Sequence, residues 1–231
     1  WYDTIDDVEV SKMLIEKVID FGKKRKLDFI DGPVGFSNMD KAGLLIDGYD
    51  ELNTMITWYH FPYQKNHLKE LGLEKLAEWV EYKIKIFSEE DAPEKVKKFA
   101  TIIQKRYELQ VLNFKSTKEI IPYVDKMFEL LNVTYSNLQT YVTIKQYQID
   151  FYKEKFIKYI HPDFIKCLLD KDGNLIAFLI TMPSFSRALK KINGKIGLFG
   201  YYHLFKAQHF NDRVSLYLIG VDPKYQSKGA T

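Results

Sequence analysis

The sequence predicts an α/β (α+β) fold in which β-strands are flanked by helices. Three observations lead to this prediction. Segments whose apolar residues recur at helical spacing alternate with short segments that alternate apolar and polar residues. A polar stretch between Ser88 and Pro93 divides these segments into two portions. At the C-terminal end, a strand pattern runs into a basic loop that contains glycine.

The first portion contains two helix patterns and two strand patterns. The first helix has a capping-box start at Asp6 and Glu9, and the second helix stops at Gly72. The strands are short, and one of them alternates regularly. In order, the predicted elements are a helix from about Val8 to Lys26, a strand at Leu27–Asp31, a helix at Gln64–Leu71 and a strand at Trp79–Phe87.

The second portion begins with a helix whose first turn contains Pro93. A strand, two helices, a hairpin and a final strand follow. The turn at Asp170–Asn174 is a strong hairpin signal, and Ser116 with Glu119 is a second capping box. The predicted positions are a strand at Leu109–Phe114, helices from Ser116 and from Thr143 to about Tyr159, hairpin strands at Ile165–Leu169 and Leu175–Met182, and a strand at Val214–Val221.

Composition excludes several classes of protein. The chain has 231 residues, of which 46% are hydrophobic and 28% charged, so it is not disordered. The net charge of +3 is too small and too dispersed to argue for nucleic acid or an anionic membrane as a partner. Cys167 is the only cysteine, and no apolar run approaches the roughly 18 residues of a membrane span. We therefore expect a cytoplasmic protein.

The C-terminal loop carries the main chemical signal. The strand that ends at Val221 is followed by Asp222–Ala230, which contains Lys228 and Gly229. If a helix follows such a loop, several backbone N–H groups converge on one point, and this forms a site for a phosphate or a pyrophosphate. An ordinary solvated turn is the alternative interpretation of these residues.

The order of elements from Leu109 and the loop together resemble the N-terminal half of the GNAT superfamily of acyl-CoA-dependent N-acyltransferases. That family has a loop of the form Gln/Arg-x-x-Gly-x-Gly/Ala, and Gln226–Ala230 matches its first five positions, whereas Thr231 departs from the sixth. The resemblance implies that acetyl-CoA or another acyl-CoA is the co-substrate. The implied coenzyme-binding residues are Ile219 and Val221 on the strand and Gln226, Ser227, Lys228, Gly229, Ala230 and Thr231 in the loop.

The N-terminal portion resembles the other half of the same fold, as in tandem-GNAT proteins. This resemblance implies two GNAT-like mixed β-sheets flanked by helices. We expect residues 1–87 to be the C-terminal part of a first unit, 88–108 a linker helix, and 109–231 the N-terminal part of a second unit. The segments Gly32–Ser37 and Gly43–Tyr49 are similar to those of a group of uncharacterised bacterial proteins. The chain begins at Trp1 without methionine and ends just after the loop, so we expect a longer polypeptide truncated at both ends.

The two units are not expected to be equivalent. Where the second has its glycine-containing loop, the first has Thr4–Asp7 with Asp3 beside it. Carboxylates a few ångströms from a pyrophosphate repel it by roughly 1 to 4 kcal/mol per pair, so we expect the first unit to reject coenzyme A. Tyr201 and Tyr202 precede the final strand and are candidates for contacts with the acceptor substrate.

The resemblance implies transfer of an acetyl or acyl group to a small-molecule or peptide amine. The sequence identifies no catalytic acid or base. No histidine has metal-ligand spacing with another histidine or with Cys167, so no metal is expected. Two alternatives stay open: a non-catalytic tandem module for binding or assembly, and a transferase that takes its acyl group from aminoacyl-tRNA.

Overall fold

A computed structural model describes residues 2–37, 39–86, 88, 90–138, 141–157, 160–226 and 228. Within these residues the fold is mixed α/β, with eight α-helices and one four-stranded antiparallel sheet. The helices are α1 (Val8–Lys24), α2 (Pro62–Glu70), α3 (Glu94–Arg106), α4 (Thr117–Tyr135), α5 (Gln146–Phe156), α6 (Ser186–Ile192), α7 (Leu198–His209) and α8 (Pro223–Gln226). The strands are β1 (Gln110–Leu112), β2 (Ile165–Leu169), β3 (Leu175–Pro183) and β4 (Val214–Val221).

The chain divides into two compact units. The first comprises residues 1–79, 139–142 and 184–211 and therefore contains α1, α2, α6 and α7. The second comprises residues 80–138, 143–183 and 212–231 and contains α3, α4, α5, α8 and the sheet. This division follows contacts within the chain, and the pair of GNAT-like units with boundaries at 87 and 109 stays a prediction.

The sheet of the second unit has the strand order β1-β2-β3-β4, and each neighbouring pair is antiparallel. The predicted hairpin is therefore confirmed, and it lies directly beside the final strand. Asp170 stabilises the hairpin turn, because its carboxylate accepts hydrogen bonds from the backbone N–H groups of Asp172 and Asn174. Such Asx geometry favours a tight turn.

The hydrophobic core of the second unit lies between the sheet and α4. Helix α4 buries one stripe of apolar residues, and the facing sheet buries apolar residues along β2 and β3. A small cluster, in which Ile103 and Leu109 pack with Ile176, also covers β3. The buried members of the first group are Ile120, Val124, Met127, Leu130 and Leu131 on α4 and Ile165, Cys167 and Phe178 on the strands.

The first unit has a different interior, in which polar side chains are prominent. Gln64 donates to the Asp3 carboxylate over 2.8 Å, and the Tyr63 hydroxyl donates to the Thr4 carbonyl over 2.7 Å. The apolar stripe of α1, which includes Met13 and Phe21, is exposed. Polar contacts between the N-terminal segment and α2 therefore contribute much of the order within this unit.

Several predicted elements are wrong. Residues 27–31 and 79–86 form no strand, so the described residues contain one sheet and not two, and that sheet is antiparallel and not mixed. The first helix is capped by Asp7, whose carboxylate accepts from the Glu9 backbone N–H, and Asp6 is not the cap. Helices α6 and α7, which lie between the hairpin and β4, were not predicted.

Candidate functional site

The candidate site lies at the C-terminal end of β4 and in the loop that follows. In the described part of the sheet, β4 is an edge strand that pairs with β3 alone. Ile219 lies opposite Leu179 and Val221 lies opposite Ala177, so both residues are in the ladder as predicted. Val221 is buried, whereas Ile219 is about half exposed. The side chain of Ile219 is consequently accessible, whereas that of Val221 is not.

A β-bulge interrupts this strand two residues before Ile219. Ile180 pairs with Leu218 and the next residue, Thr181, pairs with Leu216, so Tyr217 is the extra residue on β4. Burial raises the pKa of the Tyr217 hydroxyl, which stays protonated near neutral pH. Bulges bend a strand and redirect side chains, and they are frequent next to active sites.

Side chains already bond two carbonyl groups of the candidate coenzyme strand. The Tyr135 hydroxyl, at the end of α4, donates to the Ile219 carbonyl over 3.0 Å. Burial raises the pKa of Tyr135, so its hydroxyl is a donor across the neutral range. The Gln226 Nε2 donates to the Val221 carbonyl over 2.9 Å. Gln226 therefore folds back onto the strand that precedes it.

The described part of the loop satisfies its own amide groups. The Asp222 carboxylate accepts a hydrogen bond from the Lys224 N–H. The backbone carbonyl of Asp222 accepts hydrogen bonds from the N–H groups of Tyr225 and Gln226. The Lys228 N–H donates to the Tyr225 carbonyl. Four predicted coenzyme residues, Ser227, Gly229, Ala230 and Thr231, lie outside the described residues.

Lys228 contacts aromatic rings. Its Nζ lies 4.6 Å from the ring centre of Tyr225 and 5.4 Å from that of Tyr107, within range of a cation–π interaction. Burial raises the pKa of Tyr225, and the nearby carboxylates of Asp170, Asp222 and Asp172 add to this increase. The surroundings of the loop therefore combine positive and negative charge.

The structure places the predicted acceptor-site residues on a helix. Tyr201 and Tyr202 belong to α7, in the first unit, and their side chains are 68% and 59% exposed. The ring of Tyr202 contacts that of His203, with centres 5.7 Å apart. These tyrosines are therefore accessible, and their role in substrate binding stays a prediction.

A Ser–His–Asp cluster, which no local sequence pattern predicts, joins α1 to α2. The Ser11 Oγ lies 2.9 Å from the His67 Nδ1, and the His67 Nε2 lies 3.3 Å from an Asp6 carboxylate oxygen. Hydrolases use the same three residue types to activate a serine nucleophile. Ser11 is completely buried, so its hydroxyl is not accessible to a substrate. We interpret the cluster as a structural link, and 56 positions separate its serine and histidine.

Two other classes of site receive no support from the described residues. They contain no group of three or more His, Cys, Asp or Glu side chains that could hold a metal ion. Burial raises the pKa of Cys167 to about 12, so its thiol is not a nucleophile near neutral pH.

In the ranges that the structure covers, no helix is both long enough and apolar enough to cross a membrane.

One curated protein is similar to this chain over most of its length. The chain is 23% identical over 206 residues to Protein YghO of Escherichia coli (strain K12). The alignment covers 87% of this chain and 50% of YghO, so the chain spans about half the length of the curated relative that it matches. No protein-family model matches the chain, and no solved structure matches it significantly. The comparisons therefore supply a relative whose name states no activity.

Proposed function

We propose that the chain belongs to a tandem GNAT-like N-acyltransferase whose second unit binds acetyl-CoA or another acyl-CoA and transfers the acyl group to an amine. The observation that carries this proposal is the end of the sheet. An edge strand with a bulge at Tyr217 ends at Val221 and leads directly into the basic loop, which contains Gln226 and Lys228. The predicted hairpin beside this strand also supports it.

The reaction would need a group that polarises the thioester carbonyl. In the proposed mechanism, a backbone N–H near Leu218 or Ile219 does so, since a donor aimed at the developing oxyanion stabilises the transition state. The amine attacks the carbonyl carbon, the bond from that carbon to sulfur breaks, and coenzyme A leaves as a thiolate that must take up a proton. The amine proton passes to a base or to water.

Calorimetric titration of the protein with acetyl-CoA tests the proposal. We expect binding, and we expect Gly229→Trp to weaken it by at least about tenfold, a cost of about 1.4 kcal/mol, because the indole would fill the space of the pyrophosphate. Gly197→Trp is the matched control, because a Cβ at Gly197 meets no atom within 4 Å. Equal affinity of the Gly229 variant and the parent protein would mean that Gln226–Ala230 is only a turn.

Tyr135 provides a second prediction. In the proposed complex the pantetheine arm uses backbone groups of β4, and the Tyr135 hydroxyl now bonds the Ile219 carbonyl. Since one such hydrogen bond contributes about 0.5 to 1.5 kcal/mol, removing this competitor by Tyr135→Phe should tighten acetyl-CoA binding a few-fold. Tyr123→Phe, on the same helix, is the control. Weaker or unchanged binding by the Tyr135 variant would exclude the Ile219 carbonyl as a contact of the ligand.

The second candidate function is a non-catalytic module for assembly. The observation in its favour is the self-satisfied loop, whose described amides already bond within the loop or to the adjacent strand and so do not need a pyrophosphate as acceptor. A protein that does not bind acetyl-CoA at millimolar concentration and releases no free thiol with any member of a panel of amines and peptides would support this candidate. Thiol release with one acceptor would support the transferase.

A further inference from the structure

The segment Val80–Ile86 has the sequence pattern of a strand but forms none in the described structure. Its apolar side chains are among the most exposed of the second unit: Val80 is 66% exposed, Tyr82 80% and Ile84 73%. The intervening side chains, Glu81 and Lys83, are also exposed. A segment with strand alternation whose side chains are exposed on both faces can pair with another strand. Such pairing would cover one edge of its backbone.

The segment is complementary to itself in one antiparallel register. A twofold axis at Tyr82 places Val80 opposite Ile84 and Glu81 opposite Lys83, each pair occurring twice, with Tyr82 opposite its own copy. Apolar side chains then share one face and opposite charges share the other. Both kinds of cross-strand pair stabilise a sheet.

Neighbouring registers are less favourable. Axes at Glu81 and Lys83 place each of these residues opposite its own copy, and an axis at Ile84 places Lys83 opposite Lys85. Like charges directly opposite each other destabilise a strand pair. Axes between residues place apolar side chains opposite charged ones, because a shift by one residue exchanges the two faces of a strand. Charge and polarity therefore select the register centred on Tyr82.

We propose that Val80–Ile84 is a dimerisation strand that pairs antiparallel with the same segment of a second copy of this chain about an axis at Tyr82. The occupant of the exposed segment is thus a second copy. This inference is independent of acyl-CoA binding and goes beyond the proposed transferase. An isolated pair of short strands is marginally stable, so we expect a reversible dimer whose population rises with concentration.

Sedimentation equilibrium of charge-reversal variants tests the register. We expect the parent protein to dimerise at concentrations up to about 1 mM, and Glu81→Lys and Lys83→Glu each to be monomeric, because each places two like-charged pairs across the axis. The double variant E81K/K83E should regain the dimer. Lys98→Glu, an exposed charge reversal on α3, is the control and should leave dimerisation unchanged.

Mixing the two single variants gives a sharper result. In a heterodimer of Glu81→Lys with Lys83→Glu, every residue at position 81 faces an opposite charge at position 83 of the other copy. We therefore expect two monomeric proteins to form a heterodimer when they are mixed. If the single substitutions abolished dimerisation by unfolding the protein, mixing the two variants would not restore a dimer. Circular dichroism of each variant checks directly that it is folded.

A disulfide test provides an independent readout. Tyr82→Cys should form an intermolecular disulfide under mild oxidation, because the two copies of position 82 face each other, whereas Ile86→Cys should not. Cys167 does not interfere, since it is completely buried. A parent protein that stays monomeric at about 1 mM would overturn the proposal, and so would a dimer that all charge variants leave unchanged. A dimer that both single variants abolish and neither the double variant nor mixing restores would also overturn it.

Discussion

Gly220→Ala is expected to lower the free energy of unfolding by about 1 to 3 kcal/mol, the usual cost of overpacking a core. Gly220 lies on β4 opposite Phe178 on β3. A Cβ at this position would lie 2.6 Å from the Cε1 and 3.2 Å from the Cζ of Phe178. The ring is only 3% exposed, so it cannot turn into solvent, and either the ring or β4 must move.

The cost arises from packing and not from the backbone. Gly220 has no positive φ of the kind that disfavours other residues, in contrast to Gly173. Because β4 is the candidate coenzyme strand, a shift of this strand should also weaken acetyl-CoA binding if the proposed function is correct. Reversible urea unfolding measures the stability change.

A double-mutant cycle separates this explanation from others. Phe178→Leu removes the ring atoms that the new methyl group would meet, so Gly220→Ala should cost less in the Phe178→Leu background than in the parent protein. Gly197→Ala, which introduces the same methyl group into open space at the N-cap of α7, should cost the same small amount, less than about 1 kcal/mol, in both backgrounds. Equal costs of Gly220→Ala in both backgrounds would contradict the predicted clash.

The sequence predicted the elements whose signals are local. Helix α4, the hairpin and β4 were placed correctly, because helical spacing and a turn such as Asp170–Asn174 lie within a few consecutive residues. Residues 79–86 show the limit of this approach. Their alternation is strand-like, but a strand also needs a partner, and no residue within the segment specifies one.

Helix α7 was missed for a different reason. Its sequence places apolar residues all around the helix and contains Gly200, so no polar face marks it as a helix.

The candidate site was predicted only where its signal is local. Ile219 and Val221 lie on β4 as expected, but the Tyr135 hydroxyl reaches Ile219 from 84 positions away, and no local pattern predicts such a contact.

Asn132→Ala is expected to lower the free energy of unfolding by about 2 to 4 kcal/mol. An unsatisfied buried polar group costs about 1 to 3 kcal/mol, and this substitution removes the partner of two such groups, the N–H and the carbonyl of Ile144. The Asn132 Nδ2 donates to the Ile144 carbonyl over 3.1 Å, and its Oδ1 accepts from the Ile144 N–H over 2.9 Å. Ile144 is only 3% exposed, so water does not readily replace these bonds. The side chain fastens the segment before α5 to α4.

Two variants and one spectroscopic measurement test this role. Asn132→Asp keeps an acceptor for the Ile144 N–H but loses the donor to the Ile144 carbonyl. Because only one hydrogen bond is lost, it should lower the free energy of unfolding by less than Asn132→Ala does. Repulsion between the new carboxylate and the Ile144 carbonyl reduces this difference. Asn113→Ala, which removes an exposed bond to Lys166, should change stability by less than about 1 kcal/mol. Hydrogen exchange should show faster exchange of the Ile144 amide in Asn132→Ala, and unchanged protection there would mean that another group holds this segment against α4.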